Sequence, residues 1–121
     1  MSTRTIAVCE KKSFLTASLE REFATDREIT FRWFPYVDDL LSHLSRHSYE
    51  IAIVDFSQVD SQSLTQLANF ACQLQLMVTC PKDDFDFECL LREIGVKSVI
   101  PVGTNAKQVA QTIQKMIARP E

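Results

Sequence analysis

The chain has 121 residues, the size of one domain with a core able to fold alone and no room for a second lobe. Hydrophobic residues at 45% and charged residues at 24% are ordinary globular usage, which excludes disorder, collagen, coiled coil and low complexity. Thirteen lysines and arginines against sixteen acids leave a net charge of −3 with no basic stretch to follow a phosphate backbone, so direct nucleic-acid binding is not expected.

No apolar run approaches the ~18–20 residues of a bilayer crossing, and Met1-Ser2-Thr3-Arg4-Thr5 lacks the apolar core of a signal peptide, so no membrane contact and a cytoplasmic location are expected. Cys9, Cys72, Cys80 and Cys89 form no C-x-x-C pair and read as reduced packing residues in strands or on apolar helix faces. His43 and His47 lie four apart on one predicted helix without a cysteine nearby in sequence. They read as solvated residues rather than ligands, and no metal site is expected.

The elements follow in strict alternation. Ile6 to Cys9 is a short continuous apolar run, the signature of a strand covered on both faces. Leu15, Leu19 and Phe23 then recur at helical spacing, with Ser13 placed to cap. Ile29, Phe31 and Trp33 alternate with Thr30 and Arg32 before Pro35, a second strand near a sheet edge. Val37, Leu40, Leu41 and Leu44 predict a helix ending near His47-Ser48. Tyr49 to Phe56 reads as the most buried strand, with Ile51–Val54 as its centre and Asp55 at its end. Leu64, Leu67, Ala68 and Ala71 give a third helix, and Leu76 to Thr79 a fourth strand. Phe87, Leu90, Leu91 and Ile94 give a fourth helix closed by Gly95. Val96 to Val102 is the fifth strand, and Pro101, which cannot donate to a ladder, puts it on an edge. Asn105 caps a last helix through Ile117, ending near Arg119-Pro120.

Five βα units imply a parallel sheet with helices on both faces, an α/β three-layer sandwich of the flavodoxin-like order 2-1-3-4-5 with five helices. In such sheets function gathers at the carboxyl ends of the strands. Those ends carry Glu10 and Lys11, Asp55, Thr79 and Val102. The chain's two glycines, Gly95 and Gly103, both lie far from the first strand, so no phosphate-cradling loop follows it and no nucleotide or flavin cofactor is expected. Both histidines fall on the second helix, which leaves hydrolase triads unassembled and no catalytic residue to name.

These residues resemble the receiver domain of response regulators (the CheY-like family) along essentially the whole chain. Val8-Cys9-Glu10-Lys11-Lys12-Ser13-Phe14-Leu15 is similar to the family's first strand and acidic loop, Ile51-Ala52-Ile53-Val54-Asp55 to its phospho-acceptor strand, and Met77-Val78-Thr79-Cys80 to its switch-hydroxyl strand. The resemblance implies Asp55 as the acceptor position, Glu10 and Lys11 as the acidic-pocket positions, Thr79 as the switch hydroxyl, and Val102 where the family has a phosphate-contacting lysine. A lysine at the second acidic position opposes Mg²⁺, Val99 replaces the usual switch aromatic, and Val102 carries no charge. A register shifted by one residue gives Cys9 and Glu10 instead and keeps one carboxylate beside Asp55.

Two functional readings result. The first is a degenerate pseudo-receiver, a signal-transduction module without cofactor that binds a protein partner or an adjacent effector domain, with Lys11 holding Glu10 and Asp55 in one fixed charge state. The chain end at Arg119-Pro120-Glu121 reads on this view as a domain boundary, residues 1–121 being the N-terminal module of a longer regulator. The alternative is a two-component receiver phosphorylated at Asp55 by a histidine kinase in a phosphorelay, with Mg²⁺ held by Glu10 and Asp55. A third, thiol sensing at Cys9 or Cys80, rests on their positions near strand ends. Of the aromatic residues, Trp33, Phe34 and Tyr36 are expected to pack under the helices, and one of Phe85 and Phe87 to face away from the core.

Overall fold

The computed structural model describes residues 3–117. Five strands, β1 (Arg4–Cys9), β2 (Ile29–Phe34), β3 (Ile51–Val54), β4 (Gln75–Cys80) and β5 (Ser98–Pro101), alternate with five α-helices. These are α1 (Phe14–Glu22), α2 (Val37–Leu44), α3 (Ser61–Phe70), α4 (Phe85–Glu93) and α5 (Ala106–Ile117). All pairings are parallel and the sheet order is 2-1-3-4-5, the flavodoxin-like arrangement the sequence predicts. The expected end of α5 near Arg119-Pro120 and the boundary at Arg119-Pro120-Glu121 lie outside the described residues.

The continuous apolar strands separate, residue by residue, into two cores. Ile6 and Val8 of β1, Ile51 and Ile53 of β3 and Met77 of β4 face α1 and α5. Ala7 and Cys9, Ala52 and Val54, and Leu76 and Val78 face α2, α3 and α4. A strand buried on both faces has no polar alternation to show, which is why β1 and β3 read as short apolar blocks. The register runs straight across the centre, with Cys9 opposite Phe34 and Val54, and Val54 opposite Val78. It therefore brings the residues after β1 and β3 side by side.

Several elements are shorter than their apolar runs. β3 stops at Val54 because Asp55 turns to cap a 3₁₀ segment, Phe56–Gln58. β5 begins at Ser98 because Val96 is occupied in closing α4, and it ends before the turn at Gly103. The last turn of α2 closes at Ser45, and His47 folds back to bond the His43 carbonyl from outside the helix. His43 is not fully solvated as expected. Its ring stacks on His47 at 4.2 Å and tilts against Phe34 and Tyr49, and burial, then the positive charge of His47, Arg32 and Arg46, lowers its pKa.

The end of α4 shows why Gly95 stands there. Its φ is +100°, its N–H donates to the Arg92 carbonyl, and the Val96 N–H donates to the Leu91 carbonyl, the paired bonds of a Schellman closure. A β-carbon on Gly95 would lie 3.1 Å from Cβ of Ala71. Gly95→Ala is accordingly expected to destabilise the domain by about 1–2 kcal/mol, lowering the melting temperature by roughly 3–8 °C in calorimetry, and an unchanged transition would refute this account.

Candidate functional site

Glu10 follows β1 directly, and its backbone is pinned on both sides: its N–H donates to the Phe34 carbonyl at 3.1 Å, and its carbonyl accepts Nε1–H of Trp33 at 2.8 Å. Its side chain reaches forward to α1. One carboxylate oxygen accepts the Leu15 N–H at 3.1 Å; the other accepts the Thr16 N–H and the Thr16 hydroxyl, each at 2.7 Å. Ser13, the predicted cap, makes no side-chain capping bond. The second and third amides of α1 are those an N-cap side chain would ordinarily take. A full negative charge at this positive helix end is a stronger acceptor than a serine hydroxyl, so the carboxylate displaces it.

Asp55 is equally engaged. Its Oδ2 accepts the Ser57 N–H at 3.2 Å and, more closely, the Ser57 hydroxyl. Its Oδ1 accepts the hydroxyl of Thr79 at 3.1 Å, and Thr79 Oγ1 in turn accepts the Phe56 N–H at 2.9 Å. A continuous chain of bonds therefore runs from β4 to β3 and into the 3₁₀ segment. Lys11 is exposed and forms no ion pair among the described residues, so the expected clamp of Lys11 on Glu10 and Asp55 is absent. What fixes the two carboxylates is amides and hydroxyls instead.

Val102 ends the chain's run along β5, its N–H bonded to the Cys80 carbonyl at 2.9 Å and its side chain 40% exposed. The structure thus brings Glu10, Asp55 and Thr79 to one end of the sheet, with Val102 beyond β5. Thr16 and Ser57, which complete both networks, escaped the sequence reading. The Asp-x-Ser spacing of Asp55 and Ser57 is a usable signal for a local turn. Glu10 and Thr16 are six residues apart, outside any capping pattern.

Magnesium is bound at near-ideal octahedral geometry through one or two carboxylates with free oxygen lone pairs and several waters. Here Glu10 gives three of its roughly four acceptor sites to α1, and Asp55 three of its own to Ser57 and Thr79. Among the described residues no group of three or more His, Cys, Asp or Glu side chains is placed to hold a metal ion. As arranged, Glu10 and Asp55 have few lone pairs left for a magnesium ion.

The cysteines divide. Cys9 and Cys80 are buried, Cys72 and Cys89 exposed, which corrects the expectation that all four pack in the interior. Burial, then the carboxylates of Asp55, Asp39 and Glu10, pushes the Cys9 thiol up to about 12. Burial, then Asp84 and Glu88, also raises Cys80. Both shifts oppose the thiolate that sensing chemistry requires. The aromatic residues divide as well: Phe34 is buried, but Trp33 is 41% and Tyr36 63% exposed, so these two do not pack under the helices. Phe87 packs on the core while Phe85 is 70% exposed, as their spacing implies.

No protein-family model matches the chain, and no curated protein matches it in sequence. Solved structures do. A response regulator from Thermotoga maritima is similar with a TM-score of 0.81 at 15% identity, over 97% of this chain and 99% of that one. The non-phosphorylated HemR receiver domain from Leptospira biflexa is similar with a TM-score of 0.80 at 14% identity, over 98% and 99%. The signal receiver domain of a putative LuxO repressor protein from Vibrio parahaemolyticus is similar with a TM-score of 0.80 at 11% identity, over 95% and 90%. The chain has the receiver fold.

Two outcomes test this description of the site. Glu10→Ala leaves the α1 amides and the buried Thr16 hydroxyl without their acceptor and is expected to cost about 1–3 kcal/mol in urea unfolding, a loss that Ser13→Ala does not reproduce. An aromatic disulfide reagent should modify Cys72 and Cys89 quickly in the folded protein and reach Cys9 and Cys80 only on unfolding; rapid modification of Cys9 would contradict its burial.

Proposed function

We propose that this chain is a pseudo-receiver, a signalling module with the receiver fold that acts by binding another protein or a neighbouring effector domain instead of accepting a phosphoryl group. The observation that carries this reading is the commitment of Glu10 to the amino end of α1. A phosphoryl group entering a cluster of carboxylates needs a divalent cation and a positive side chain around it. The one carboxylate available beside Asp55 is spent on α1, Lys11 stands at the second acidic position, and Val102 offers a hydrocarbon side chain at the lysine position. On this reading the chain is a binding module and no enzyme, uses no cofactor, and contacts neither nucleic acid nor a membrane directly.

A second reading, a receiver phosphorylated on Asp55 by a histidine kinase, draws on one observation. The Thr79 hydroxyl lies 3.1 Å from Asp55 Oδ1, where it would read a change on that carboxylate. For it to act, Glu10 must let go of α1, and the helix must lose its cap each time the metal enters.

Acetyl phosphate with Mg²⁺, followed by intact-mass measurement, separates the two. The expected spectrum is unmodified under conditions that label an ordinary receiver. An added phosphoryl mass that disappears in Asp55→Asn would overturn the pseudo-receiver reading. In NMR titrations with Mg²⁺ and beryllofluoride the amides of Asp55 and Thr79 should stay in place, and Lys11→Asp, which returns a carboxylate to the second acidic position, is expected to gain a response.

A further inference from the structure

The exposed large apolar side chains are not scattered. Among the described residues, Phe14 (73% exposed), Tyr36 (63%), Phe85 (70%), Trp33 (41%) and Val102 (40%) all stand at the carboxyl end of the sheet, and only Leu90 lies elsewhere. Trp33 is tied to Glu10 by its indole N–H, and Glu10 leads through Lys11 and Lys12 to Phe14, which places these aromatic residues at the ends of the neighbouring strands β2 and β1. The chain's own Lys12 ammonium already stands 5.9 Å from the centre of the Phe14 ring, a cation on an aromatic face.

Charge is concentrated at the same end. The five segments that leave the strands there (10–13, 35–40, 55–60, 81–86 and 102–107) carry eight of the sixteen acids and four of the thirteen basic residues. That gives this end −4 and the rest of the chain +1, so the excess negative charge of the protein, −3 overall, belongs wholly to it. Exposed aromatic rings among uncompensated carboxylates match a partner with the opposite charge and its own apolar anchors.

We propose that the carboxyl end of the sheet docks a basic amphipathic polypeptide segment, with lysine or arginine side chains set between apolar ones. This deepens the interaction-module reading and rests on it for an end left clear of a phosphoryl group. The apolar side chains of the segment cover Tyr36, Phe85 and Val102. Its cations meet the acids of the α2 and α4 first turns, Asp38, Asp39 and Asp86, and stack on the Trp33 and Phe14 rings. Nucleic acid and anionic lipid are repelled by this surface, and a second copy of the chain docking through it in a two-fold contact would bring like charges together.

Trp33 is the chain's one tryptophan and reports on this surface without a label. The probe is a short helical peptide of leucine and lysine, with a leucine and glutamate peptide of the same length as its counterpart, titrated without Mg²⁺ or phosphoryl donor. The lysine peptide is expected to shift Trp33 emission saturably, to move amide signals in the five carboxyl-end segments, and to weaken by about tenfold as salt rises to a physiological level. Tyr36→Ser and Phe85→Ser, both at exposed positions, should each weaken it by about fivefold while leaving the thermal transition unchanged. Signals that move on another face, equal binding of the glutamate peptide, or self-association in place of binding would each overturn the proposal. Phosphorylation of Asp55 would sink the interaction-only reading and leave this binding measurable. Failure of the peptide on a chain that takes no phosphoryl group would sink the docking surface alone.

Discussion

The carboxylate of Glu10 decides what the carboxyl end of this sheet can do, because it serves two structures with incompatible demands. It belongs by position to the loop beside Asp55, where an unengaged carboxylate would hold a cation. It belongs by bonding to α1, whose second and third amides and whose buried Thr16 hydroxyl depend on it. Removing a charge-assisted acceptor from buried or half-buried donors costs more than the bond itself contributes, because the donors are left dry. The cap therefore holds the carboxylate more firmly than an exposed loop residue would be held. It also ties the amino end of α1, and through the Trp33 bond the end of β2, to the centre of the sheet.

Asp55 repeats the pattern one strand over. Its oxygens are satisfied by Ser57 and Thr79, and these bonds order the 3₁₀ segment and link β3 to β4. Neither carboxylate needs Lys11, which is free to point into water. Two acids placed together by the register of β1 and β3 are thus held by separate sets of donors, Glu10 by α1 and Asp55 by Ser57 and Thr79.

The sheet that positions these residues was legible from elementary patterns. Short apolar blocks at Ile6–Cys9 and Ile51–Val54 mean strands covered on both faces, Pro101 means an edge, and Gly95 means a left-handed helix closure; each is a local consequence of backbone sterics or burial. The site was legible only in its membership. Which carboxylate does what depends on bonds between residues several positions apart in the chain and on different elements, such as Glu10 with Thr16 or Thr79 with Asp55, and no periodicity encodes them. Ser13 illustrates the error this produces: its type and position favour a cap, yet a charged competitor from the preceding loop takes both amides. The exposure of Trp33 and Tyr36 was likewise hidden, because an aromatic residue on an edge strand has the same sequence signature whether a helix covers it or water does.

The carboxyl end of this sheet carries an excess of negative charge. Four of the five loops hold its carboxylates, a hydrogen bond from an amide does not cancel a formal charge, and solvent screens such charges only over about 8–10 Å at physiological ionic strength. In a conventional arrangement a divalent ion and a lysine would offset part of that charge from within. Here Lys11 and Lys12 at the first loop, Lys82 at the fourth and Lys107 at the last offset half of it, and the remainder faces outward among rings that water covers poorly. On the proposed reading, such a surface is covered by a molecule that brings both cations and hydrocarbon. On the same reading, the loss of metal chemistry and the gain of a protein-binding face are two consequences of one redistribution of charge, set by where Glu10 spends its oxygens and by the valine that stands at position 102.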